Sequence, residues 1–191
     1  MSFITLSKSA ALLTPATNKG TFGYDDARDQ MCWVDETGAV WYFGEQRKVL
    51  AADLSALTST TPADVTGLAF AILANTKYAF EFKLIFASAA TTTGIKVGFT
   101  GPASPTRFAA TAIVPRAADG SSALWAGTFK TIADVVTSDA VEEAAVDYEC
   151  VIRGTIVNGA NAGNLQLQAA TEVAASGITP KAGSSGRLWI P

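Results

Sequence analysis

The sequence predicts an all-β protein: a sandwich or barrel of short antiparallel strands behind an N-terminal arm and hairpin. Three observations carry that expectation. Helical periodicity is nearly absent, turn residues recur about every ten positions, and two long stretches alternate apolar and polar residues with a period of two. At 191 residues, one main domain is the default, with enough chain to bury a core without metal or disulfide staples.

Taken in order, Met1–Lys8 lacks the basic start and long apolar run of a secretory signal. No stretch approaches the roughly 18 apolar residues of a membrane span. The expectation is a soluble chain not exported by that route. Tyr24-Asp25-Asp26-Ala27-Arg28-Asp29 reads as a solvated or salt-bridged turn; its carboxylates suit Ca²⁺ chemically but lack the spacing of an EF-hand loop. Met31–Val34, then Asp35-Glu36-Thr37-Gly38, then Ala39–Phe43 reads as a β-hairpin with glycine in its turn. A lone hairpin is barely stable in water. Its aromatic residues Trp33, Trp41, Tyr42 and Phe43 are therefore candidates to pack on the main domain, on a sister chain or on a partner. Gly44–Lys48 is the expected boundary, dividing the chain into residues 1–47, an attachment segment, and 48–191, the β-domain.

Beyond the boundary, the run Val49–Leu57 reads as a strand. Next come Leu68–Leu73 and the clearest alternation, with Tyr78, Phe80, Phe82, Leu84 and Phe86 on one face and Ala79, Glu81, Lys83 and Ile85 on the other. Gly94–Thr100, Arg107–Val114 and Ala123–Lys130 are shorter strands. Asp139–Val146 favours helix by propensity but is too short to stand alone, and reads as a loop or single turn. A second long alternation sets Tyr148, Cys150, Ile152, Gly154 and Ile156 against Glu149, Val151, Arg153 and Thr155. Asn164–Ala169 and Arg187–Ile190 complete roughly eight or nine strands after position 48. Separators such as Gly101-Pro102-Ala103-Ser104-Pro105 and Asn158–Gly163 have loop chemistry, and the prolines cannot donate to a ladder.

Composition narrows the chemistry. The chain has no histidine, which removes Ser–His and Cys–His nucleophile pairs, His-ligated metals and the commonest general base. Cys32 and Cys150 form no CxxC spacing and read as buried packing residues, with a disulfide between them the alternative. Glu142 and Glu143 are adjacent, so on a strand they face opposite ways and cannot flank one glycosidic bond. No phosphate loop and no nucleophile elbow is present. No cofactor or metal is expected, and no catalytic residue is nominated. Fourteen Lys and Arg against 17 Asp and Glu give a net charge of −3, and the basic residues are scattered. Nucleic acid is therefore not an expected partner. Charged residues are only 16% of the chain, against roughly 25% in ordinary soluble domains, which suits a surface partly hidden in an oligomer.

Val65-Thr66-Gly67-Leu68-Ala69-Phe70, Ala74–Phe82, Ser88–Ile95, Gly101-Pro102, Ala162–Ala170 and Lys181-Ala182-Gly183-Ser184 together resemble a β-domain of tailed-bacteriophage virion proteins, over most of residues 49–191. The resemblance implies a jelly-roll-like antiparallel β-sandwich, assembled as a homotrimer on the exterior of a virion formed in the host cytoplasm. It implies a head fibre, capsid decoration or short tail fibre, with other virion proteins as partners and no enzymatic activity. The family pattern defines no functional residues. A second hypothesis is a carbohydrate-binding module that recognises a host surface glycan; a glycan hydrolase is rejected for want of paired carboxylates.

Overall fold

The computed structural model describes residues 20–25, 30–34, 36–37, 40–42, 45–116 and 124–191. The chain divides into two compact units, Met1–Gln46 and Arg47–Trp189.

The first unit holds β1 (Thr21–Asp25), β2 (Gln30–Val34) and β3 (Val40–Tyr42). The expected hairpin is β2–β3, with Trp33 opposite Trp41 and Cys32 opposite Tyr42. It is not alone: β1 pairs antiparallel with the other edge of β2, from Thr21–Val34 to Asp25–Gln30. The last two residues of β1, Tyr24 and Asp25, fall in the Tyr24–Asp29 stretch expected as a turn, because the polar run that starts at Asp25 masks the Phe22/Tyr24 alternation. A third strand removes the marginality of an isolated hairpin. The arm before residue 20, and Phe43, lie outside the described residues.

The second unit begins at the second residue of β4 (Gln46–Val49) and contains β5 (Ala63–Ile72), β6 (Lys77–Ser88), β7 (Ile95–Thr100), β8 (Arg107–Pro115), β9 (Leu124–Phe129), β10 (Val135–Thr137), β11 (Asp147–Val157), β12 (Gly163–Thr171), β13 (Ile178–Pro180) and β14 (Ser185–Trp189). One sheet runs β10-β7-β12-β5 and the other β4-β14-β6-β11-β8-β9, with β13 also on β6. β5 pairs β12, β6 pairs β11, β7 pairs β10 and β8 pairs β9, all antiparallel. The eight strands β5–β12 thus form one long hairpin, its tip between β8 and β9, wrapped so that successive pairs fall in alternate sheets. That winding is a jelly roll. β4, β13 and β14 widen the second sheet beyond β6.

Alternation explains which side chains meet. Tyr78, Phe80, Phe82, Leu84 and Phe86 of β6 are all buried, as their period requires. Phe99 of β7 stands at the centre, its ring 5.3–5.7 Å from Phe80, Phe82, Phe108 and Phe129. Three of these contacts are edge-on, the arrangement ring quadrupoles favour. Two glycines make room for this packing. A Cβ on Gly154 would stand 2.5 Å from Phe80, and one on Gly186 would stand 2.8 Å from Phe82.

Three departures from expectation have local causes. Val49–Leu57 does not continue as a strand. Leu50, Leu54 and Leu57 donate instead to Ser184, Pro180 and Ile178, an irregular partner in which Pro180 offers no N–H and Gly183 turns with a φ of 84°. β5 begins ahead of the expected Leu68 because it bulges opposite β12; the Gln166 amide donates to Val65 and Leu68 carbonyls across that bulge. β10 and β13 are three residues each, too short to show an alternation.

Candidate functional site

In the N-terminal sheet, Trp33 is half-buried and Phe22, directly opposite on β1, is 54% exposed. Their rings meet edge-on at 4.8 Å. Positions 22, 33 and 41 therefore form one row across three strands. Cys32 and Val34 alternate to the opposite face, where both are buried. Of the four sequence-nominated attachment residues, Trp33, Trp41 and Tyr42 are brought into this sheet, and Phe43 lies outside the described residues.

Asp25 ends β1, whereas Asp26 and Asp29 lie outside the described residues. Glu142 and Glu143 lie in the loop before β11, where the Glu142 N–H donates to Arg116 and the Glu143 N–H to the Tyr148 hydroxyl. Among the described residues, no three His, Cys, Asp or Glu side chains gather at metal-binding distance. Both cysteines are free thiols and buried. Burial, helped by the nearby Glu149 charge, pushes the Cys150 thiol up to about 12, so it stays protonated and unreactive. No described helix is long and apolar enough to cross a membrane.

The outer face of the second sheet holds the feature that sequence reasoning missed. Glu81 lies on the polar face of β6 yet is only 6% exposed. Strand register sets Arg187 of β14 and Arg153 of β11 directly on either side of it. Arg153 Nε donates to one carboxylate oxygen at 2.5 Å and Arg187 Nε to the other at 3.2 Å. Arg187 also lies over the Trp189 ring, 5.2 Å from its centroid. Desolvation raises the Glu81 pKa, but the Arg153 hydrogen bond and the two guanidinium charges outweigh it and hold the carboxyl below its usual range. A groove of about 370 Å³ opens beside this row, lined by Arg47, Lys48, Val49, Glu81, Lys83, Ser185, Gly186 and Arg187. The available signal was the opposite charges at polar positions of two alternating strands. Only register shows that they meet.

Further along the same face the chemistry changes. Ala126 of β9, Ile113 of β8 and Val151 of β11 form a cross-strand row, with Leu124 close by, 63% exposed, and Ile113 41% exposed.

No protein-family model and no curated protein matches this sequence. Among solved structures, infectious bursal disease virus of the Gx strain is similar at 14% identity and a TM-score of 0.21, covering 80% of this chain and 44% of that one. The Gt strain is similar at 15% identity and a TM-score of 0.20, covering 80% and 43%. The chain thus spans less than half the length of either, and likeness of this degree carries no argument about function.

Proposed function

We propose that the protein is a non-enzymatic structural component on the exterior of a tailed-phage virion, a homotrimeric capsid decoration, head fibre or short tail fibre. The jelly-roll winding of β5–β12 is the observation that supports this reading. That fold recurs in viral capsid proteins, lectins and cupins, and a histidine-free chain lacks the commonest ligand for metal chemistry. The apolar row Ala126–Ile113–Val151 with Leu124 suits a face hidden between copies, as does the low charge content. The N-terminal sheet, carrying Trp33 and Trp41, is then the segment that attaches to a neighbouring virion protein. Fold alone does not imply function, so assembly is the test. Light scattering of the purified chain at micromolar concentration is expected to give three times the chain mass, and Ile113→Glu is expected to give monomers. A monomeric wild type would overturn the trimer. Electron cryomicroscopy of the intact particle would locate it on head, collar or tail.

A second reading, a carbohydrate-binding module for host surface glycans, is favoured by the exposed Phe22 against Trp33. Glycan binding abolished by Trp33→Ala, without loss of assembly, would select it.

A further inference from the structure

The groove over β4, β14 and β6 has no role in either reading above. Four of the chain's 14 Lys and Arg side chains line it, against one of its 17 carboxylates. That carboxylate, Glu81, already accepts from both Arg153 and Arg187, so its charge is committed to the floor. Lys48 and Lys83 carry no ion pair among the described residues, and like charges lining one groove repel. The floor is preorganised. Arg187 is held between Glu81 and the Trp189 face, and the register places the small Ser185 beside Lys83, which keeps the concavity open. The volume sits at the low end of ligand clefts, which run from roughly 300 Å³. No aromatic ring lines it, so stacking on a neutral sugar or a base is not its chemistry.

We propose that this groove binds an oxyanion group (carboxylate, sulfate or phosphate) carried by a small solute or by an acidic saccharide. Lys48 and Lys83 supply charge-assisted hydrogen bonds from above, over the floor that Glu81 and Arg187 hold in place. The site does not depend on the virion reading, since it lies within one chain.

The test is calorimetric titration of the full chain at constant ionic strength, with inorganic phosphate in one arm and a sulfated tetrasaccharide in the other. Wild type is compared with Lys48→Gln/Lys83→Gln and with Lys77→Gln/Lys130→Gln, whose lysines lie outside the groove. Binding in either arm that weakens about tenfold or more in the groove variant alone is the expected result, the consequence of losing charge-assisted bonds. The tighter arm names the source of the anion. A far-ultraviolet spectrum and melting temperature like those of wild type establish that the groove variant is folded. No binding in either arm, or equal weakening by both double variants, would overturn the proposal.

Discussion

Inside the sandwich, Phe80 and Phe82 of β6 are sealed among Phe70, Phe99 and Phe108, whereas Glu81, between them in sequence, faces outward and is sealed by two arginines. Water is kept from the inner rings and from the Glu81 carboxylate by different physics. The inner face is stabilised by removing carbon from water and by close ring contacts, and any apolar residue of the right volume serves. The outer face buries a charge, and tolerates it only while both partners remain. Damage to the first should therefore scale with volume lost and be indifferent to pH. Damage to the second should follow charge and acidity.

Phe82→Ala is expected to have the largest effect, destabilising the second unit by about 3–5 kcal/mol, as truncation of a buried ring does. Lys83→Ala, one residue along, should stay within about 0.5 kcal/mol, the usual range for surface substitutions. Denaturant midpoints would show this difference, and equal effects would mean that the two faces of β6 were exchanged.

Acidification should act on the outer face. Glu81 has a folded-state pKa below its unfolded value, so its stabilisation is complete above the ordinary glutamate range near 4.3. It is lost as pH falls through the folded-state value. Glu81→Gln should flatten that part of the acid limb while lowering stability at neutral pH. An unchanged acid limb in the variant would remove Glu81 as its source. Between pH 6 and 8 the midpoint should hardly move, because the chain has no histidine. Above the ordinary thiol range near 8.5, unfolded chains release the Cys150 proton that the folded protein retains. Stability should therefore fall there, and Cys150→Ala should lessen that fall.

The smallest expected effect is a gain and belongs to neither face. Ala175 holds a φ of 65° in an exposed turn, its N–H donating to Thr58. The left-handed region costs an L-residue roughly 1–2 kcal/mol, partly offset by glycine's greater freedom when unfolded. Ala175→Gly should thus stabilise by about 0.5 kcal/mol, measurable as a small rise in melting temperature. A loss would show that backbone entropy outweighs the strain.

Much of this architecture was legible before the fold was known. The period of two in Tyr78–Phe86 and in Tyr148–Ile156 assigned both strands and their buried faces; Gly101–Pro105 reads as the loop it is, and so does Asn158–Gly163 up to its last residue, Gly163, which opens β12. The three-residue strands β10 and β13 were not legible, because each depends on hydrogen bonds from a distant neighbour rather than on its own pattern. β1 was hidden because its end, Tyr24-Asp25, runs in sequence into the polar stretch Asp26–Asp29. In the N-terminal sheet, the hairpin turn was readable from Asp35–Gly38, but the row linking Phe22 to Trp33 required the third strand.

By itself, then, the sequence determined the all-β class, the inward and outward faces of the long strands, and the absence of histidine chemistry. Each of these is carried by residue type and by spacings of a few positions. The jelly-roll winding, expected only from the resemblance, is fixed by the strand pairing, and the tertiary structure alone decided the burial of Glu81 and the groove that gathers Arg47, Lys48, Lys83 and Arg187. Those residues come from three stretches of chain far apart in sequence, and only the pairing of β6 with β14 and β11 brings Arg187 and Arg153 to either side of one carboxylate. A one-residue slip of either partner would turn its arginine to the opposite face and leave that charge buried without its pair.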